Sequence, residues 1–228
     1  MKKSNQAILL LAIFFLSGVL ITDHLLSINY STLDLKDPYR NFMDIAVKPF
    51  KALRIAGGNH YSIRIKRGEA INLKLLRSRK DFFKILSDGD TLSLRFNVAG
   101  GSSGQPYDAV NGLIITMPSL AYIHLTGTLV SISDFRQDSL TIEQETNTRT
   151  ILNDLSLHHL SVTGKGAGLI DGRNGNTADH ITVNLSNTSA MLMSEFHFHQ
   201  FSPHLEDSST LILNKTGLKM FEESYKNQ

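Results

Sequence analysis

The chain has no cysteine among its 228 residues. That absence excludes a disulfide framework, a thiolate zinc site, a cysteine nucleophile and a lipid-modified N-terminal cysteine. Proline is scarce, at five, and charged residues reach only 19%, below the usual quarter. Disordered, collagen-like and coiled-coil chains have other compositions. The length suits one domain around one hydrophobic core with a short appendage.

The one long apolar run lies at the N-terminus. Ala7 to Ile21 carries no charge over fifteen residues rich in Leu, Ile and Phe, between the length of a secretory core and that of a minimal membrane span. No small-residue cleavage pattern is evident behind it, and Leu25, Leu26 and Ile28 extend the apolar helix toward the interface. Residues 1–28 therefore read as an uncleaved signal anchor, a single transmembrane helix contacting the lipid bilayer. Lys2, Lys3 and the free amine keep its start cytoplasmic, so that everything after about Asp23 lies outside the cytoplasm, in the periplasm or at the cell surface. A cleaved signal peptide and a core helix of a cytosolic domain are the competing readings. Residues 29–48 turn polar and read as a juxtamembrane spacer.

From Phe50 the hydrophobic pattern has a period of two, the signature of strands. Leu53 and Ile55, Ile63 and Ile65, Ile71, Leu73 and Leu75, and Leu92, Leu94 and Phe96 alternate with polar residues. Gly57-Gly58, Arg67-Gly68 and Asp88-Gly89-Asp90 supply turns, and Ala99 to Pro106 reads as a Gly/Ser-rich loop before Leu113, Ile115 and Met117. Beyond Pro118 a repeat emerges. One hydrophobic series runs Ile123, Leu140, Leu160, Ile181, Leu205, and a second runs Ile132, Ile151, Ile170, Leu192, Leu211, both advancing by roughly twenty residues. Two short strands and two turns per unit predict a single-stranded parallel β-helix, a β-solenoid of about twenty residues per coil. It would occupy residues 49–217, followed by a C-terminal tail at 218–228. A β-sandwich is the alternative, since strands at such spacing also suit it.

The order of features resembles the auto-transporter adhesin "head GIN" domain family, exported β-solenoids common in Bacteroidota. The resemblance rests on Asp37-Pro-Tyr-Arg40, Phe50-Lys-Ala-Leu-Arg-Ile55, Leu113-Ile-Ile-Thr-Met-Pro-Ser-Leu120, Ile123-His-Leu-Thr-Gly127 and Leu160-Ser-Val-Thr-Gly-Lys-Gly-Ala-Gly168. It covers about Phe50 to Gly217. The chain departs from the pattern at Glu145-Thr-Asn-Thr148 and in the aromatic run Phe196-His-Phe-His-Gln-Phe201. The resemblance implies a surface or periplasmic head with a binding or adhesive role.

Charge is segregated along the chain. Residues 48–84 hold eleven Lys and Arg against Glu69 and Asp81, whereas residues 85–228 hold eight basic against fifteen acidic residues. By strand alternation Arg54, Arg64, Lys66 and Lys74 point outward, and they are expected to line one basic face. Such a face suits an anionic lipid surface, at about 1 kcal/mol per cation, an anionic glycan or another envelope protein; a solvated face without a ligand is the plain alternative. Nucleic acid is not expected, because no recognition helix or aromatic RNA-binding motif is present.

Six of the nine histidines fall between residues 158 and 204. Each of His159, His180 and His204 precedes the first hydrophobic residue of a coil, with Tyr122 in the equivalent place, so the four are expected to form an outward ladder interrupted at Ser139. A row of imidazoles could sense pH or bind a transition metal, although no set of three or four converging metal ligands is legible. Gly164-Lys-Gly-Ala-Gly168 lacks the following helix of a phosphate loop and reads as a coil corner. Carbohydrate-cleaving enzymes also use β-helices. Asp154, Asp171, Arg173 and Asp179 are the sparse candidates here, without a complete acid and base pair. No catalytic set and no cofactor is assigned, and the favoured reading is a membrane-anchored binding, adhesion or scaffolding protein of the cell envelope rather than an enzyme.

Overall fold

The computed structural model describes residues 3–31, 37–57, 62–97 and 111–226. The Gly/Ser-rich stretch Ala99 to Pro106 and Gly58 lie outside the described residues. The chain divides into two compact units, residues 1–41 and 42–228. In the first, α1 (Lys3–Ser31) contains an 18-residue apolar window, Leu11–Ile28, with none of it buried. The boundary falls inside the expected polar spacer, because β1 (Phe42–Ile45) is part of the second unit.

The second unit is a parallel β-solenoid with two facing sheets. Its first strands are β2 (Ala52–Ala56), β3 (Ser62–Arg67), β4 (Asn72–Leu76), β5 (Phe83–Asp88), β6 (Thr91–Phe96) and β7 (Asn111–Met117), with a short 3-10 helix, Arg77–Phe82, before β5. Five two-strand coils follow: β8 (Tyr122–Thr126) with β9 (Leu129–Ser133), β10 (Arg136–Gln144) with β11 (Thr148–Asn153), β12 (Ser156–Lys165) with β13 (Gly168–Arg173), β14 (Asn176–Ser186) with β15 (Ala190–Met193), and β16 (Phe196–Leu205) with β17 (Thr210–Leu213). One sheet runs β1-β4-β7-β3-β9-β11-β13-β15-β17 and the other β16-β14-β12-β10-β8-β2-β6-β5. We call them the nine-stranded and the eight-stranded sheet. Consecutive coils pair in parallel, which decides against the sandwich.

Inward residues from both sheets stack into one column. Leu140, Leu160, Ile181 and Phe201 stand directly opposite one another in successive strands and are all buried. The expected series shifts in two places. Ile123 faces Ile142 rather than Leu140, and Leu205 faces Leu185 rather than Ile181. In the other sheet Ile151 and Leu192 are aligned with the outward Asp171, while Thr150, Ile170 and Met191 take the inward row. A one-residue slip exchanges the faces of a strand, and Thr150 is an inward polar residue that hydrophobic counting passes over. Its hydroxyl donates to Gln144 Oε1 at 2.8 Å, so the burial is compensated.

Two corners per coil complete the repeat. Left-handed backbone recurs at Gly127, Asn147, Gly166, Asn187 and Asp207 after the strands of the eight-stranded sheet, and at Asp134, Asp154 and Asn174 after those of the nine-stranded sheet. Asn, Asp and Gly are the residues that adopt this conformation at least cost. The Gly164 to Gly168 segment is one such corner, joining β12 to β13. At Asn176 a buried side chain closes the next corner from within: its amide donates to the carbonyls of Leu152 at 3.0 Å and Arg173 at 2.6 Å, and its oxygen accepts from Leu155 N at 3.1 Å. Gly172 faces the core and has no Cβ because the ring of Phe196 occupies that space.

The first coil does not follow chain order. β2 lies between β6 and β8, and β3 between β7 and β9, so the chain starts inside the stack, winds outward, returns and then continues on the other side. At that end β4 and β5 pair antiparallel with β7 and β6, and β1 antiparallel with β4. The opposite end is covered by α2 (Lys215–Lys226), in the segment expected to be a tail. Asn214 caps it by accepting from Gly217 N at 2.7 Å. Phe221 meets Phe201 edge to face at 5.7 Å.

The corner rule has a direct check. Asn147→Ala should lower unfolding free energy by about 1–2 kcal/mol, the cost of placing an ordinary side chain in left-handed backbone, whereas Asn147→Gly should leave it nearly unchanged. Chemical denaturation of both variants measures the difference.

Candidate functional site

The four cations expected on one face occupy two. Arg54 lies on β2 in the eight-stranded sheet, and Arg64, Lys66 and Lys74 lie on β3 and β4 in the nine-stranded sheet. Alternation tells inside from outside but not which sheet a strand joins, and β2 and β3 are the two sides of one coil. Arg64 and Lys74 both stand opposite Ile114, and Lys74 Nζ pairs with Asp44 Oδ1 at 2.9 Å.

Arg54 belongs instead to a group that sequence reasoning missed. β5 and β6 form a hairpin around Gly89 and Asp90, which sets Lys84 directly opposite Arg95 and Leu86 opposite Ser93. On the other side of β6, Ser93 faces Arg54 and Arg95 faces Ala56; beyond them Arg54 faces His124 of β8. The outer face thus gathers Arg54, Lys84 and Arg95 on adjacent strands around Ser93 and Leu86. These residues line a cavity of about 500 Å³ with His124 and Thr126 on its far side. Leu86 is 68% exposed. Among the described residues no carboxylate forms an ion pair with Arg54, Lys84 or Arg95. Like charges directly opposite in a sheet repel. The readable signal was the turn, since counting outward from Gly89-Asp90 pairs Lys84 with Arg95.

The acids bordering this cavity are already engaged. Tyr122 Oη donates to Glu143 Oε2 at 2.8 Å, and burial together with that carboxylate pushes the phenol up to about 12. Glu145 lies 3.2 Å from His124 Nε2 and accepts from Thr126 Oγ1 at 3.1 Å. The hydrogen bond with His124, then that from Thr126, holds its carboxyl below the usual value.

The histidines form two short rows. His159 and His180 stand opposite each other, stacked at 4.8 Å with 15° between the rings, and Ser139 and Gln200 continue their row. Tyr122 and His204 stand elsewhere: Tyr122 is opposite Thr141, and His204 is opposite Asn184, in line with His124. The expected ladder of four is therefore a stack of two, because the register of β8 and β16 differs from simple hydrophobic alignment. Beside it runs an alternation of acid and imidazole that the histidine spacing did not reveal: Asp138, His158, Asp179 and His199 on four successive strands. Asp138 Oδ1 is 3.9 Å from His158 Nε2, Asp179 Oδ2 is 2.5 Å from His158 Nδ1, and Asp179 Oδ1 is 3.1 Å from His199 Nδ1. The hydrogen bond to Asp179 raises the pKa of His158, and the same bond, followed by that of His199, lowers that of Asp179.

Asp171 and Asp179 lie on the outer faces of different sheets, so Asp171, Arg173 and Asp179 do not converge. Asp171 is buried beneath Arg173, whose Nε and Nη2 donate to Oδ2 at 2.8 and 2.5 Å, and Arg149 Nη2 lies at 3.6 Å. Among the described residues no three His, Asp or Glu are placed to hold a metal ion.

No family model and no curated protein matches the sequence. Among solved structures, the fold is similar to that of a candidate adhesin from Bacteroides fragilis NCTC 9343, at 14% identity and TM-score 0.53 over 75% of this chain and 93% of that one. A candidate adhesin from Parabacteroides distasonis ATCC 8503 aligns at 12% identity and TM-score 0.48, over 75% and 80% of the two chains. A candidate lipid-binding protein from the same strain aligns at 10% identity and TM-score 0.39, over 75% and 93%.

Two measurements test this electrostatic description. Lys84→Thr relieves the repulsion with Arg95 and should stabilise the fold by about 0.5 kcal/mol, a gain that shrinks in high salt. For the acid–imidazole row, the raised His158 stabilises below the ordinary imidazole value and ceases to do so as pH rises through its folded pKa. The lowered Asp179 stabilises above the ordinary carboxylate value and ceases to do so as pH falls through its own. The row thus contributes most between about pH 4 and 6.5. Asp179→Asn should lower Tm near about pH 5.5 and converge on the parent at about pH 9, as thermal unfolding across pH will show.

Proposed function

We propose that the chain is a membrane-tethered binding protein of the cell envelope, with α1 as an uncleaved signal anchor and the β-solenoid as a head outside the cytoplasm. The observation that carries this reading is the pairing of an unburied apolar helix with a solenoid of adhesin-like fold. The 18-residue window Leu11–Ile28 rises about 27 Å as an α-helix, close to the thickness of a bilayer's hydrocarbon core. Leaving it in water would expose Phe14, Phe15, Leu16, Val19, Leu20 and Ile21, each more than half exposed, at a cost of about 1.5–3 kcal/mol for each large side chain. The fold shared with the Bacteroides fragilis protein supports an adhesive or ligand-binding head.

The head is a rigid support in this reading. Each coil is hydrogen-bonded to its neighbours along its length, so outward side chains are held at fixed spacing, and binding proceeds by display of such side chains rather than by chemistry. Anionic lipid, anionic glycan and a second envelope protein are the partner classes compatible with its basic outer faces.

The test uses the full chain with a C-terminal epitope. The protein should remain with membranes after alkaline extraction, and protease added outside spheroplasts should remove the epitope. A protease-protected, alkali-soluble chain would overturn the reading, and a mature N-terminus beyond about residue 23 would replace the anchor by a cleaved signal peptide.

A further inference from the structure

We infer that the cavity between Arg54, Lys84 and Arg95 is a binding site for a phosphate monoester carried on an apolar body. This rests on the reading of the head as a binding module and names the ligand class, but it does not depend on where the head resides.

Three like charges crowd one patch of the outer face. Lys84 and Arg95 are directly opposite, and Arg54 sits diagonally from Arg95 across β2 and β6. At such spacing, about 5 Å for facing and 7–8 Å for diagonal pairs, three cations destabilise the sheet unless an anion lies between them. Among the described residues none supplies one: Glu143 is held by Tyr122, and Glu145 by His124 and Thr126. Lys74 and Arg173 show the arrangement these three cations lack, each lying against a carboxylate.

Geometry then selects the anion. Arg54 and Arg95 present two planar forks from neighbouring strands, with the Ser93 hydroxyl between their positions and Lys84 as a compact charge beyond. A carboxylate has one edge and satisfies one fork. A tetrahedral dianion has enough oxygens for two forks and an ammonium together. The apolar part follows from Leu86, which lies on the same outer face opposite Ser93 and is 68% exposed. A bare phosphate would leave it in water, whereas an alkyl or acyl group next to the phosphate would cover it. The volume, about 500 Å³, falls in the range of small-ligand pockets.

Calorimetric titration of the full chain in maltoside micelles, against empty-micelle blanks, tests the inference with hexyl phosphate, glycerol 3-phosphate and inorganic phosphate. Hexyl phosphate should bind at least about tenfold more tightly than glycerol 3-phosphate, as expected for burying a few methylenes. Arg54→Gln and Arg95→Gln should each weaken it about tenfold or more, while Arg64→Gln on the other sheet leaves it unchanged. Because these substitutions remove repulsion, their Tm without ligand should equal or exceed that of the parent, so lost binding is separated from lost folding. Equal affinity for hexyl phosphate and glycerol 3-phosphate would overturn the apolar half and leave a soluble phosphate ester as ligand. No heat with any probe, or heat unaffected by either Arg substitution, would overturn the site. Neither result bears on membrane tethering, which protease accessibility decides separately.

Discussion

A coil of about twenty residues has room for two strands and two corners and for little else. Each corner must reverse the chain within a few residues while its backbone groups remain hydrogen-bonded, and left-handed residues accomplish this. Asn147, Asn187 and Asp207, with Gly127 and Gly166, on one edge and Asp134, Asp154 and Asn174 on the other occupy that conformation; of the corners in the five regular coils, Ser194-Glu195 between β15 and β16 turns without it. From this constraint the rest follows: corners at constant spacing keep the strands in register, and register stacks Leu140, Leu160, Ile181 and Phe201 into one column. Where the corner needs inside support, Asn176 provides it with three hydrogen bonds from within the core, which offsets the cost of burying an amide.

A solenoid has two open ends, and this chain closes them differently. At one end the winding order breaks and antiparallel strands β1, β4 and β5 cover the stack. That irregularity creates the cationic cavity, because the antiparallel β5–β6 hairpin places Lys84 against Arg95, a like-charged juxtaposition that the regular coils lack. At the other end α2 lays Met220 and Phe221 over the last inward residues, protecting a core that would otherwise end in water.

The outer faces differ from the core in kind. Inside, most rows are filled by apolar residues that stack on one another; outside, each row carries its own chemistry. One row joins Asp138, His158, Asp179 and His199 by alternating charge, another buries Asp171 beneath two arginines, and a third leaves three cations without a described partner. A stack of parallel strands gives such rows at a fixed spacing of about 4.8 Å, which suits presenting several charged groups to one ligand.

The sequence by itself determined the strands, their inward residues in most coils, the length of a coil and the apolar helix at the start. These depend on local alternation and spacing, which survive without knowledge of neighbours. It also placed Asp and Asn where the chain turns, although their twenty-residue recurrence was a stronger sign of the coil than the hydrophobic series that carried Ile151 and Leu192 to the wrong row. Only the tertiary structure decided which strand lies beside which. Backbone hydrogen bonds join β2 to β6 and β8 with no regard for side-chain identity, and nothing near Arg54 in the chain specifies Lys84 or Arg95 as its neighbour. The helical end cap, the division of the basic residues between two sheets and the place of Arg54 beside the Lys84–Arg95 pair are therefore products of long-range pairing, invisible to any reading that proceeds along the chain.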